Sequence, residues 1–286
     1  MVASAVSSHL QLRPVETVEE YRACQEVQRR AWGIAEDGYV VPVATMISVQ
    51  HAGGLVLGAF DRERLVGFSF GFLGRVRGRW VLYSQLTGVD PAVQDKGAGG
   101  QLKAAQRQWA REQGLPLVVW SYDPLQAGNA NFNLRRLGAV SRTYEVNYFG
   151  ERTDTLNLGL ETDRLLVEWS TEDELRAWQG DGLPPVEVIS FEQATDGPRC
   201  PRGAGHDVAV WEGSGPAAPL QLEIPADIAN LKAQNAELSR VWQLAVRDAF
   251  QRSFATGYVA MDFVREPAGP ASRAYYVLKR PQDEVE

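Results

Sequence analysis

Apolar residues in the first part of the chain recur with two different periods, one typical of strands and the other of helices. Short apolar or alternating runs predict strands at 10–15, 55–60, 65–73, 80–89, 117–120, 140–149 and 164–169. Apolar residues three and four positions apart predict helices at 17–32, 44–50, 101–113 and 127–137. Thr17 and Glu20 have the spacing of a capping box, which places the start of the first helix. The pattern predicts an α/β fold in which a three-strand meander precedes the third helix.

Residues 171–286 differ in composition, and we predict that they form a second, smaller α+β domain. Gly, Pro and charged residues are concentrated at 180–185 and 194–205, as in linkers and long loops. The remaining pattern predicts strands at 186–191, 207–211 and 220–224, a helix at 227–254, and a hairpin of 258–264 and 274–278. The order of elements in 65–120 is similar to that in 207–264, so a degenerate copy of the first fold is one interpretation. We therefore predict two domains, 1–170 and 171–286.

Composition and charge exclude several classes of function. The chain has 286 residues, a net charge of -7 and a hydrophobic content of 44%. An acidic chain is not expected to bind nucleic acid through its overall charge, and the sequence lacks the ~20-residue apolar run of a membrane span. Two isolated cysteines and the absence of a recognisable signal peptide favour a cytoplasmic location. Three widely separated histidines give no metal-ligand spacing, so no metal is expected.

A glycine-rich stretch, 94–100, lies between a predicted strand and a predicted helix. A turn of this kind presents backbone N–H groups and the positive end of a helix dipole at one point, which is a suitable place for an anion. The spacing matches neither the G-x-G-x-x-G dinucleotide fingerprint nor the Walker pattern. The stretch is therefore either a coenzyme pyrophosphate site of another type or a tight turn that binds nothing.

The order of elements around this stretch resembles the GNAT superfamily of CoA-dependent N-acyltransferases. The superfamily signature [Arg/Gln]-x-x-Gly-x-[Gly/Ala] is matched at Gln94, Gly97 and Gly99. Residues 86–91 are similar to its splayed fourth strand, and 129–139 to its helix that ends in Leu-Gly-Phe. The resemblance covers about 10–170 and implies a GNAT-like mixed twisted sheet flanked by helices.

This resemblance implies acetyl-CoA or another acyl-CoA, such as succinyl-CoA, as the coenzyme, and an N-acyltransferase activity. The acceptor would be the primary amine of a small molecule such as an amino acid. A further interpretation takes the second domain as a unit that shapes the acceptor site or forms a homodimer. Lys103 and Arg107 would either add positive charge near the coenzyme or form a solvated helix face. The residues expected to bind the coenzyme are Leu86, Thr87, Val89, Gln94, Asp95, Lys96, Gly97, Ala98, Gly99, Gly100, Asn129 and Asn131.

The catalytic groups are less clearly marked than the coenzyme site. Leu134 stands where many members of the superfamily have a tyrosine that acts as the general acid. Tyr144 and Tyr148 are the predicted substitutes, with Tyr122 as a further candidate. No general base is evident from the sequence. The candidates are Glu145, on a predicted central strand, and Glu36 and Asp37 in the expected acceptor loop. Each of these residues could equally be a packing aromatic or a surface acid. A catalytically inactive acyl-CoA-binding module is therefore the alternative hypothesis.

Overall fold

The fold was obtained as a computed structural model, which describes residues 10–34, 36–150, 159–172, 186–192, 200–203, 218–266 and 273–281. For residues 94–96, 186–192 and 200–203 the backbone alone is described. No helix in these ranges is long and apolar enough to cross a membrane.

Contacts between residues divide the chain into two compact units. Unit 1 comprises the described residues up to Trp120 together with Ser170–Glu172. Unit 2 comprises the other described residues from Ser121 onwards. This division cuts a strand near Trp120, whereas the sequence predicts a boundary near Ser170. Whether 1–170 folds as one domain stays a prediction.

Unit 1 is a mixed sheet with helices. Its strand order is β1-β2-β3-β4-β5, and the pairs are antiparallel except for the parallel pair β4–β5. In chain order its elements are β1 (Gln11–Pro14), α1 (Val18–Trp32), a 3-10 turn (Asp37–Tyr39), α2 (Val43–His51), β2 (Leu55–Asp61), β3 (Arg64–Val76), β4 (Arg79–Val89), a second 3-10 turn (Pro91–Lys96), α3 (Ala98–Glu112) and β5 (Leu117–Tyr122).

The capping box predicted from the sequence is confirmed at the start of α1. The Glu20 backbone N–H donates to Thr17 Oγ1 at 3.2 Å, and the Thr17 N–H donates to Glu20 Oε2 at 3.3 Å. The helix ends at Gly33, whose φ of 62° is left-handed. Its buried face includes Tyr21, Cys24 and Val27.

Helices α1 and α3 pack against opposite faces of the meander because side chains of β3 alternate between the faces. Phe68 and Phe70 belong to the apolar cluster that contains the buried residues of α1. Gly67 and Gly71 point to the other face, towards α3. A Cβ at Gly67 would lie 3.2 Å from Leu102 Cδ1, so the absence of side chains there allows α3 to approach the sheet closely.

Unit 2 contains seven strands in the order β7-β6-β11-β12-β10-β8-β9. Its pairs are antiparallel except for β8–β10. In chain order its elements are α4 (Ala127–Ala130), a π-helical turn (Asn131–Arg136), β6 (Val140–Glu145), β7 (Arg164–Ser170), β8 (Val186–Glu192), β9 (Cys200–Gly203), β10 (Leu220–Ile224), α5 (Ile228–Gln234), α6 (Ala236–Ala255), β11 (Val259–Arg265) and β12 (Ala274–Lys279).

Two predicted elements of unit 2 differ from the structure, and a third is not described. The single helix predicted at 227–254 is broken at Asn235, which has extended backbone angles and starts α6 as its N-cap. The strand predicted at 140–149 ends at Glu145, because a turn with a left-handed Asn147 (φ 46°) follows. The strand predicted at 207–211 lies outside the described residues.

Strand pairing does not match the duplication suggested by the order of elements. In unit 1, β4 and β5 are joined by α3 and pair directly with each other. In unit 2, β10 and β11 are joined by α5 and α6, but β12 lies between them. Unit 2 has a different internal similarity, in which a helix followed by an antiparallel hairpin occurs twice. The two hairpins meet where β6 and β11 pair at Ser141 and Ala260.

We predict that Asn235→Ala lowers the free energy of unfolding by about 1 kcal/mol, the usual cost of losing an N-cap. The Asn235 side chain accepts a hydrogen bond from the Leu238 N–H at 2.9 Å, which alanine cannot replace. Chemical denaturation monitored by circular dichroism measures the change. Asn235→Asp keeps an acceptor and should stay close to wild type. Equal stability of the alanine variant and wild type would show that this cap is not needed.

Candidate coenzyme site

The site begins where β4 parts from β5. The two strands pair at Leu82–Val118 and Tyr83–Val119. Beyond Tyr83, β4 continues to Val89 and pairs with β3, and a bulge lies between Ser84 and Leu86. One edge of the last part of β4 therefore faces a gap, as expected from the resemblance to a splayed fourth strand.

The direction of the backbone groups along this edge follows from the register. The Asp90 N–H donates to the Val66 carbonyl at 2.8 Å, so Gly88 and Leu86, at alternate positions, also direct their backbone groups towards β3. Thr87 and Val89 direct theirs towards the gap. Of the three β4 residues predicted to bind coenzyme, Leu86 therefore directs its backbone groups into the sheet, and its part in coenzyme binding stays a prediction.

Asp90 fixes the turn that follows β4. Its carboxylate is buried and contacts Arg64 Nη2 at 2.8 Å and Arg30 Nε at 3.2 Å. Its other oxygen accepts from the Ala92 N–H at 3.1 Å and so caps the 3-10 turn at Pro91. Sequence reasoning missed this residue. The signal that could have identified it is an Asp-Pro pair, typical of an N-cap with proline at the first helical position, directly after a strand.

Helix α3 starts earlier than the sequence predicts, at Ala98 rather than Gln101. Gly97 is its N-cap and has a φ of 75°, a left-handed angle that favours glycine. The Gly97 carbonyl accepts from the Gln101 N–H at 3.1 Å. In an α-helix the N–H groups of the first residues have no acceptor within the helix. Those of Ala98, Gly99 and Gly100 are thus available to an anion at an uncharged first turn.

The glycine at position 99 has no explanation in the packing of unit 1. A Cβ placed there would meet Val89 Cγ2 at 3.8 Å, an ordinary contact. Glycine within a helix costs up to about 1 kcal/mol relative to alanine. A need for close approach of a ligand to the backbone accounts for this cost, so the residues present fit a pyrophosphate. The side chains of Gln94, Asp95 and Lys96 lie outside the described part of the structure.

Lys103 is buried, which overturns the alternative that it lies on a solvated helix face. Its side chain lies between α3 and the sheet, where Nζ donates to Ser84 Oγ at 2.7 Å and lies 3.8 Å from the centre of the Trp120 ring. Burial lowers the pKa of this amine to about 7. Arg107 is also not a simple solvated residue, because its Nε donates to the Ser170 carbonyl at 2.7 Å.

Asn129 and Asn131 belong to unit 2, in α4 and the π-helical turn after it. Asn129 is exposed and lies inside the helix, so it is not the cap that the sequence suggested as an alternative; Gln126 occupies that position. Leu134 is buried in the π-helical turn. The part of these asparagines in coenzyme binding stays a prediction.

Tyr144 is engaged within unit 2. Its hydroxyl donates to Asp163 Oδ2 at 2.7 Å, and its ring stacks on that of Phe250. Asp163 also accepts from Arg247 Nε at 2.8 Å and from the Asn147 N–H at 3.0 Å. Burial, with Asp163 as a further cause, raises the pKa of Tyr144 above its ordinary value and makes it a weaker acid. This arrangement explains Tyr144 structurally, and its role as an acid is untested.

Tyr148, Glu145 and Tyr122 also lie in unit 2, whereas Glu36 and Asp37 lie in unit 1. Tyr148 is exposed and contacts Phe149 edge-on, with ring centres 4.8 Å apart. Glu145 is half-buried at the end of β6, opposite Arg164 in the ladder. Tyr122, the further candidate, is buried and donates to the Tyr276 hydroxyl at 3.3 Å. No cluster of three potential metal ligands occurs among the described residues.

Comparisons with known proteins give likenesses among solved structures. No family model matches this chain, and no curated protein matches it. A proposed acetyltransferase of the GNAT family from Desulfovibrio desulfuricans is 14% identical over 57% of this chain and 99% of its own, with a TM-score of 0.43. The ribosomal-protein-S18-alanine N-acetyltransferase from Escherichia coli is 16% identical over 62% and 99%, with a TM-score of 0.46.

A third likeness is yncA, a proposed acetyltransferase from Salmonella typhimurium in complex with acetyl-CoA. It is 18% identical over 60% of this chain and 99% of its own, with a TM-score of 0.47. Unit 1 itself has the three-strand meander, the parted β4 and the turn into α3 that the sequence resemblance predicted.

We predict that Gly97→Glu abolishes CoA binding measured by calorimetry. The substitution places a negative charge where the pyrophosphate is expected, and its left-handed backbone angle adds about 1 kcal/mol of strain. Among the described atoms none lies within 4 Å of the position of a new Cβ, so the fold should tolerate the side chain. Gly97→Asn is the matched control, because asparagine adopts this angle more readily and is neutral. CoA affinity equal to wild type in the glutamate variant would contradict the assignment of the pyrophosphate to the turn at Gly97.

We predict that Lys103→Met changes how stability depends on pH. The amine has a pKa of about 7 when folded against a model value of 10.5. Between these values the unfolded chain binds more protons, so this group makes stability rise with pH by up to about 1.4 kcal/mol per unit. Relative to Lys103→Met, wild type should therefore gain stability from pH 7 to pH 9.

Burial raises the thiol pKa of Cys24 to about 12, which also makes stability depend on pH. Cys24 is present in both wild type and Lys103→Met, so its contribution cancels in the difference between them. Arg111, exposed on the same helix, provides the control Arg111→Met, whose profile should run parallel to that of wild type. A difference between wild type and Lys103→Met that stays constant with pH would contradict the burial of a titrating amine.

Proposed function

We propose that this chain is a GNAT-type N-acyltransferase that transfers an acyl group from acyl-CoA to the primary amine of a small molecule. The observation that carries the proposal is the continuity of three features in unit 1. The open edge of β4 leads into a turn anchored by Asp90, and the turn leads into an uncharged helix start that begins with Gly97. This is one path for an extended ligand with an anionic end.

Each part of this path has a separate task in the proposal. The N–H groups of Ala98, Gly99 and Gly100 hold the pyrophosphate at the positive end of α3. Backbone groups of Thr87 hold the extended arm of the coenzyme along the gap. The bound acyl-CoA supplies an activated thioester. Backbone donors at the edge of β4 polarise its carbonyl, and fixed donors of this type stabilise a developing oxyanion strongly.

The proposal names the acceptor and the acyl group by chemical class only. A primary amine must lose a proton before it attacks, and Glu145, Tyr144 and Tyr148 remain the predicted proton-transfer groups. Acetyl and succinyl are the acyl groups considered, and an amino acid is the proposed type of acceptor. A homodimer and a cytoplasmic location also stay predictions.

A second candidate function is supported by one specific feature, the lack of a clear general acid. Leu134 is buried where a tyrosine is common in the superfamily, and the Tyr144 hydroxyl is already bonded to Asp163. A module that binds acyl-CoA without turnover would show both features.

The two functions are separated by measuring thiol release from acyl-CoA with a panel of primary amines. We expect release that depends on the amine for at least one pair of substrates, with the acylated amine identified by mass spectrometry. The Gly97→Glu variant should lose the activity and the Gly97→Asn variant should retain part of it, which excludes a contaminating enzyme. Tight CoA binding without turnover across acetyl-CoA, succinyl-CoA and a broad amine panel would instead support the binding module.

A further inference from the structure

Lys103 lies where the gap between β4 and β5 closes. The last paired residues are Tyr83 of β4 and Val119 of β5. Ser84 follows Tyr83 in β4, and Trp120 follows Val119 in β5. The Lys103 ammonium contacts both of these residues, with Ser84 Oγ at 2.7 Å and the Trp120 ring centre at 3.8 Å. Its position in α3 therefore brings a cation to the closed end of the gap in which the acyl end of the coenzyme is proposed to lie.

The groups around this cation are rich in donors and poor in acceptors. Gln106 is fully buried, and its Oε1 lies 3.5 Å from Lys103 Nζ. Its Nε2 donor is buried with no hydrogen-bond partner. Among the described residues, no carboxylate pairs with Lys103. Ser84 supplies a hydroxyl, which also carries a hydrogen to donate.

Buried polar groups are normally satisfied, and a buried charge is normally paired. Here the Lys103 side chain has a relative exposure of only 4%, and its neighbours are neutral. Among the described residues, the adjacent Gln106 Nε2 also has no acceptor. The low pKa of the amine has the same cause, since no anion stabilises its charged form. A ligand with two acceptor oxygens and one negative charge would satisfy both donors.

We propose that Lys103, together with Gln106 and Ser84, forms a carboxylate-binding site at the closed end of the β4–β5 gap. The inference rests on the proposed acyltransferase function and specifies the substrate class for that same site. The carboxylate has two chemical sources, the free end of a dicarboxylic acyl group on CoA or the carboxylate of an amino-acid acceptor. The pyrophosphate is assigned elsewhere, to the N-terminus of α3.

The first experimental arm tests the acyl group by measuring binding of succinyl-CoA, butyryl-CoA and CoA to wild-type protein. Succinyl and butyryl groups have the same chain length and differ in the carboxylate. If the acyl group is the source, succinyl-CoA should bind about tenfold or more tightly than butyryl-CoA, as expected for a charge-assisted hydrogen bond. Lys103→Met should abolish this preference and leave the affinity for CoA unchanged.

The second arm tests the acceptor by comparing amino acids with their amides at fixed acyl-CoA concentration. If the acceptor is the source, kcat/KM for the amino acid should exceed that for the amide by about tenfold or more, and Lys103→Met should remove the difference. Arg111→Met is the control for loss of a positive charge on the same helix, and both preferences should persist in it.

Proton uptake gives a readout that does not depend on activity. At pH 8 an amine with a pKa of about 7 is mostly neutral, and a bound carboxylate would raise this pKa and protonate it. Calorimetry in two buffers of different ionisation enthalpy should show uptake of roughly one proton when the carboxylate ligand binds, and none in Lys103→Met.

The proposal is overturned if neither arm shows a preference for the carboxylate, or if the preference persists in Lys103→Met. These results are distinct from failure of the proposed function. Lack of turnover with intact CoA binding would count against the acyltransferase. In that case the succinyl-CoA binding and proton-uptake measurements would still decide the role of Lys103.

Discussion

The separation of β4 from β5 after Tyr83 is the constraint on which the rest of the candidate site depends. If the two strands remained paired to Val89, the backbone groups of Thr87 would be used inside the sheet and no gap would form. The turn after β4 maintains the end of this arrangement, because buried Asp90 bonds both the turn and two arginines. Asp90 is buried and its two arginine partners are partly exposed, so loss of both arginines would leave a buried charge uncompensated.

The same gap explains why local electrostatics differ from those of the whole chain. The net charge of -7 gives no attraction for an anionic coenzyme. The helix start at Ala98 and the buried amine of Lys103 provide positive potential at two points along the gap, where low polarity makes each more effective than at the surface. Small local features therefore select an anionic ligand on an acidic protein.

Sequence reasoning identified what is encoded locally. The Thr17–Glu20 capping box and the turn at Gly97 depend on residues close in sequence, and both are present as expected. The break at Asn235 was missed because the apolar periodicity continues through it. The burial of Lys103 was missed because it depends on Ser84 and Trp120, which are distant in sequence. The spacing of Lys103, Gln106 and Ala110 on one helix stripe was the available signal.

Hydrogen exchange of backbone amides in the presence of saturating CoA is the measurement that tests the central claim most directly. The amides of Ala98, Gly99 and Gly100 are predicted to donate to the pyrophosphate, so their exchange should slow strongly when CoA binds, while the exposed amide of Gly78 in the distant hairpin should be unaffected. CoA binding with unchanged exchange at these three amides would contradict the account.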